Sequence, residues 1–142
     1  MSLSTIHGIR HKRFALGIGL GYDVYQEWRT LPLFGSLAYD FFRYRGNSFF
    51  IQLNGGYSKA WYSLADEDQF TYKEKGGIFL HPLVGYRIYT PKIDVYLTAG
   101  YKFQRLTYDQ TPKWWAWGYP RNKITVDRDI ERLSIQIGLG FH

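Results

Sequence analysis

The sequence predicts an all-β chain, an antiparallel up-and-down transmembrane β-barrel of about eight strands. Three observations predict it. A glycine–tyrosine–polar triplet recurs at Gly21-Tyr22-Asp23, Gly56-Tyr57-Ser58, Gly85-Tyr86-Arg87 and Gly100-Tyr101-Lys102, with looser copies at Gly8-Ile9-Arg10 and Gly140-Phe141-His142. Each triplet lies in a run where large apolar residues alternate with small or polar ones. The connections between runs alternate between short and long. Successive side chains of a strand point to opposite faces, so every triplet puts a ring on one face and a glycine plus a polar group on the other. That is inverted for a water-soluble barrel and right for one whose outside is lipid.

Composition agrees. The chain has 142 residues, the size of one domain, here spanning residues 1–142. Fifteen glycines beside 13 Tyr, 10 Phe and 5 Trp suit a twisted antiparallel sheet better than a helical bundle. Mean hydropathy is −0.34, which is compatible with a membrane barrel because only every second residue need be apolar. No stretch approaches the roughly 20 consecutive apolar residues of a spanning helix. With no cysteine, disulfide scaffolds and thiolate metal or redox sites are excluded. The first residues, Met1 to Thr5, form no apolar signal core, so an exported chain would carry its signal peptide upstream, and the domain is read as possibly truncated at its N-terminus.

The clearest strand is 14–25. Phe14, Leu16, Ile18, Leu20, Tyr22 and Val24 share one face, and Ala15, Gly17, Gly19, Gly21 and Asp23 the other. A helix would scatter this pattern around its circumference. In 31–44, Leu33, Leu37, Tyr39 and Phe41 oppose Ser36, Ala38 and Asp40. In 48–62, Phe49, Ile51, Leu53 and Tyr57 oppose Gln52, Asn54, Gly56 and Ser58. In 77–90, Ile78, Leu80, Val84, Tyr86 and Ile88 oppose His81, Gly85 and Arg87. In 93–109, Ile93, Val95, Leu97, Tyr101 and Phe103 oppose Asp94, Thr98, Lys102 and Gln104. In 130–141, Leu133, Ile135, Ile137, Leu139 and Phe141 oppose Arg132, Ser134 and Gln136. Residues 3–10 make a weaker seventh strand.

Tight turns are expected at 10–13, 44–48 and 89–93, and longer loops at 26–30, 63–75 and 110–129. Outer-membrane barrels have short turns on one rim and long loops on the other. Seven strands are one short of the even number such barrels use, so a first strand is expected to be missing or hidden in irregular sequence. The two edges so exposed could associate with a partner chain.

The layout resembles the small outer-membrane β-barrel proteins of Bacteroides-type bacteria. The residues carrying the resemblance are Thr5-Ile6-His7-Gly8, the run from Phe14 to Asp23, Leu31-Pro32-Leu33-Phe34, Gly85-Tyr86-Arg87 and the terminal Gly138-Leu139-Gly140-Phe141. The last looks like the closing strand whose aromatic residue is read by the assembly machinery. Here His142 follows it, either native or tag-derived. The resemblance implies a bacterial outer-membrane location and carries no activity with it.

The interior of so small a barrel is expected to be filled. Asp23, Asp40, His81, Arg87, Lys102 and Arg132 are its expected polar network, with Asp94, Gln104 and Gln136 beside them. Buried charges there must pair. Lipid hydrolases and acyltransferases of the outer membrane use a serine, histidine and acid. His81 has no serine close by on its own strand, and Ser134 or Ser58 would reach it only through register, so no catalytic set is assigned. No metal site or cofactor is expected. Trp114, Trp115, Trp117 and Tyr119 make a candidate loop patch for a glycan, a protein or lipopolysaccharide, or an interfacial aromatic cluster.

Eighteen Lys and Arg against 12 Asp and Glu give a net charge of +6. The cations are dispersed rather than striped, which argues against nucleic acid. Arg10, His11, Lys12, Arg13, Arg43, Arg45 and Lys92 gather near the short turns, where anionic headgroups would meet them. The expected role is a structural or surface-binding outer-membrane barrel with a filled polar lumen. The alternatives are a lipid-modifying enzyme of that membrane and a soluble lipocalin-like barrel with its large apolar face turned inward around a greasy ligand.

Overall fold

A computed structural model describes residues 1–24, 28–62, 70–112 and 124–141. Seven strands follow one another: β1 (Ser2–His11), β2 (Phe14–Val24), β3 (Trp28–Tyr44), β4 (Asn47–Tyr62), β5 (Phe70–Ile88), β6 (Ile93–Pro112) and β7 (Ile124–Phe141). They form one antiparallel sheet in the order β1-β2-β3-β4-β5-β6-β7. The sheet curls into a half-barrel. Among the described residues β1 pairs only with β2 and β7 only with β6, so the seven strands leave open the two edges expected where a first strand is missing.

Alternation sets the two faces. Leu20 pairs with Leu33, Leu33 with Tyr57 and Tyr57 with Ile78, which carries one parity from strand to strand. Leu16, Ile18, Leu53, Val84 and Leu97 all lie exposed on the convex side, Ile18 at 68 %. On edge strand β7, Leu133 reaches 84 %. The tyrosines of the triplets, Tyr22, Tyr57, Tyr86 and Tyr101, point outward as the alternation predicts, while Asp23, Ser58, Arg87 and Lys102 are buried within the curve. Near the short turns, Phe14 meets Tyr39 at 4.8 Å, and Phe49 meets Phe41 at 6.3 Å, Phe42 at 6.4 Å and Tyr86 at 4.8 Å between ring centres. Tyr22 and Tyr57 stand eight residues along from Phe14 and Phe49, about 27 Å up the strand.

The strands are longer than the apolar pattern alone suggests. β5 begins at Phe70, inside the expected 63–75 loop, and β7 at Ile124, inside the expected 110–129 loop. Between β6 and β7 the outer face turns polar there while the ladder continues. Arg105 opposes Asp129 and Thr107 opposes Asp127, so hydrophobic alternation fades before backbone pairing does. Two irregularities interrupt the register. In β3, Asp40 pairs with Phe50 and Phe42 with Phe49, leaving Phe41 as the extra residue of a bulge. In β5, the register slips between Glu74 and Gly76. Gly76 has φ 76°, and a Cβ there would sit 2.2 Å from the Ser58 carbonyl oxygen, so only glycine fits.

The interior is not purely polar, which corrects the expected plug. Phe34, Phe50, Phe79 and Leu83 are buried there with the charged groups. Three interior glycines make room for inward rings. A Cβ on Gly19 would lie 2.5 Å from the Phe34 ring, one on Gly85 2.4 Å from Phe50, and one on Gly140 would collide with Tyr96. By contrast, a Cβ at Gly35, on the convex face, meets nothing nearer than the Gly55 carbonyl at 3.9 Å. Gly85→Ala should therefore cost about 1–3 kcal/mol through overpacking. Gly35→Ala should change stability by less than about 0.5 kcal/mol. Urea unfolding of the two variants measures the contrast.

Candidate functional site

Two charged clusters and a set of polar pairs occupy the concave side. The first cluster centres on Asp23 of β2. Its Oδ2 accepts from Lys102 Nζ of β6 at 2.5 Å, and its Oδ1 accepts from Arg132 Nη2 of β7 at 3.3 Å. Arg132 also donates to the Ser2 hydroxyl of β1. Strands far apart in the sheet thus meet across the interior, which they can do only because the sheet curls.

The second cluster lies toward the short turns. Asp40 Oδ2 accepts from Arg43 Nη2 at 2.6 Å and Nε at 3.1 Å, and Asp40 Oδ1 stands 3.4 Å from Arg87 Nη1. Residues three apart on a regular strand point to opposite faces. The Phe41 bulge between them turns Arg43 back toward Asp40. Tyr89 completes the cluster. Its hydroxyl donates to Asp40 Oδ2 at 3.1 Å and accepts from Arg10 at 2.6 Å and Arg87 at 3.3 Å. The rings then serve the cations. The Arg87 guanidinium stacks 4.6 Å from Phe50 and 4.8 Å from Tyr96, and the Lys102 ammonium lies 5.1 Å from Phe79. Desolvated cation–π contacts of this kind offset part of the cost of burying a charge.

The expected network residues Asp23, Lys102 and Arg132 come together, as do Asp40 and Arg87. His81 joins neither ion pair. Its Nε2 lies 2.7 Å from Ser134 Oγ, so register does bring β5 and β7 side chains together across the interior. Ser58 instead receives a bond from Gln104 Nε2 at 2.7 Å. A serine within reach of an imidazole is the geometry of an activated nucleophile. A cavity of about 30 Å³ lies on the His81 side, bordered by Ser2, Ser4, Asp23, His81, Lys102 and Gln136.

Tyr89, Arg43 and the buried phenylalanines were not anticipated as interior partners. Tyr89 lies just beyond the end of β5, where alternation stops predicting direction, and Arg43 lies beyond a bulge that inverts it. Phe34, Phe50 and Phe79 each follow a large apolar residue on the opposite face, so hydrophobicity alone could not assign their side. The candidate loop patch, Trp114, Trp115, Trp117 and Tyr119, and His142 fall outside the described residues. Comparison with protein-family models, with curated proteins and with solved structures returned no match.

Asp23→Asn should leave the buried Lys102 ammonium without its carboxylate partner and destabilise by about 3–5 kcal/mol. Replacing Asp23 by Leu together with Lys102 by Met should recover much of that loss. Denaturant unfolding of both variants against the parent checks the pair.

Proposed function

We propose that the chain is an integral barrel of the bacterial outer membrane, with a filled interior and a structural or surface-binding role carried by the rim opposite the short turns. The observation that carries this reading is the direction of its faces. Large aliphatic side chains are exposed over the convex wall, while Asp23, Asp40, Arg87 and Lys102 are buried inside. Water would favour the opposite arrangement, and hydrocarbon favours this one. The aromatic row at the short-turn end and the tyrosines about 27 Å up the strands bound an apolar zone, as interfacial girdles do. Above Tyr101, the outer face of β6 and β7 becomes charged, with Arg105, Asp127, Asp129 and Glu131. The soluble-barrel alternative needs the apolar face inside, and the lipid-modifying enzyme rests on the His81–Ser134 contact alone. Lipopolysaccharide or neighbouring lipid would be the immediate surroundings, and glycans or proteins the candidates for the long-loop rim.

The finer fold goes with this reading. Both β1 and β7 run toward the short-turn rim, so the two free edges are parallel to each other. One further strand, antiparallel to both, would close an eight-stranded barrel without a parallel pair.

Because the chain contains no cysteine, single introduced thiols are unique reporters. Labels at Ile18, Leu53 and Ile135 should be quenched by nitroxide-bearing lipid chains in reconstituted vesicles, and a label at Ser58 should not. Expression as a soluble, monodisperse monomer without detergent would sink the proposal. Hydrogen exchange in the bilayer tests closure. The β1 amides that do not bond to β2 should exchange slowly when an eighth strand covers them, and fast exchange there would mean that the sheet stays open.

A further inference from the structure

The short-turn rim is built as a cationic surface. Arg10, Lys12, Arg13, Arg43, Arg45 and Lys92 are all exposed there. The acids nearest to them, Asp40 and Asp94, are buried, and no exposed acidic side chain lies on this rim among the described residues. The opposite end is mixed, with Arg29, Lys59 and Arg128 beside Asp127 and Glu131, and with Arg105 paired to Asp129 at 2.8 Å. Among the described residues, the exposed charges of one end are thus all positive, and those of the other are of both signs.

Two further observations set this rim apart from scattered surface charge. The residues at two turn tips, Lys12 with φ 55° and Arg45 with φ 44°, adopt the left-handed conformation that favours glycine or asparagine. Cations stand where the backbone prefers other residues. The turns are also tied to one another. Arg43 Nη2 donates to the Lys12 carbonyl at 2.6 Å, the Asp40 amide to the Arg13 carbonyl at 2.8 Å, and the Tyr89 amide to the Gly46 carbonyl at 2.8 Å. The Arg45 guanidinium is steadied 5.2 Å over the Tyr44 ring. The result is a fixed array of positive groups directly below the aromatic row of Phe14, Tyr39, Phe49 and Tyr86.

We propose that this rim binds the phosphates of anionic phospholipid headgroups in the leaflet that the aromatic row reaches. The inference rests on the membrane reading and goes beyond it by naming the lipid class and the residues. A phosphodiester supplies the acceptors that a lysine or arginine at a turn tip can reach, and a negative leaflet surface attracts juxtamembrane cations. Because the turns are already ordered by their mutual hydrogen bonds, binding needs little further ordering.

The test reconstitutes the full chain in bilayers of phosphatidylcholine alone and of phosphatidylcholine mixed with phosphatidylglycerol. Spin-labelled versions of the two lipids report the preference for one over the other at the protein surface. The comparison is a triple variant, Lys12→Asn, Arg45→Asn and Lys92→Gln, in which asparagine suits the two left-handed positions. The parent should prefer phosphatidylglycerol, and the variant should lose roughly fivefold of that preference at low salt for each of the three cations that contacts a phosphate. About 1 M salt should abolish the preference in the parent. An inserted parent with no preference, or a variant that keeps the parent's, overturns the inference and leaves the barrel reading standing. A variant that unfolds more readily in phosphatidylcholine alone assigns these cations to turn stability and also overturns it. A chain that inserts into neither bilayer overturns both readings.

Discussion

A carboxylate on β2 held by cations from β6 and β7 is the constraint on which the rest of the structure depends. A flat sheet would leave Asp23 several strand widths from Lys102 and Arg132, because neighbouring strands lie about 4.8 Å apart. At 2.5 and 3.3 Å the three groups define how tightly the sheet must curl. The demand is strong because Asp23 and Lys102 are shielded from water, and an unmatched charge there would be costly. Sheet curvature and charge pairing are two descriptions of one arrangement.

Curvature then decides what can fill the inside. Side chains on a concave face converge, so bulk at every inward position would overfill the space. The glycines of β2, β5 and β7 relieve that convergence where rings from neighbouring strands arrive, as at Gly19 against Phe34 and Gly85 against Phe50. Those rings in turn lie beside the cations that pair with Asp23 and Asp40. A glycine on one strand, a phenylalanine on the next and a cation across the interior therefore act together. The Gly85-Tyr86-Arg87 triplet shows all three parts: the tyrosine faces outward, Gly85 admits the Phe50 ring and Arg87 stacks on it.

Much of this was legible from alternation. The run from Phe14 to Val24 has large residues on one side and small ones on the other, and the assignment of Asp23 inward and Tyr22 outward needs nothing else. Asp40, His81, Arg87 and Lys102 follow by the same parity. What alternation could not supply is where parity changes or ends. Phe41 inserts one residue and reverses the direction of Arg43. Tyr89 lies past the strand end, and the 124–129 stretch stays in the ladder after its outer face has turned polar. Contacts such as His81 with Ser134 depend on curvature, a property of the whole sheet that no local window contains.

The common direction of β1 and β7 has a consequence for self-association. Copies inserted the same way round in a bilayer keep their strands aligned with one another. Any edge of one copy meets an edge of the next running in the same sense, so a shared sheet would need the parallel pairing that this fold never uses. Copies tumbling in water have no such restriction and can turn end for end to join antiparallel, the ordinary route of edge-strand aggregation. With seven described strands, copies held in one orientation, as the membrane reading would have them, could offer one another only parallel edges, whereas copies free to turn over could pair antiparallel.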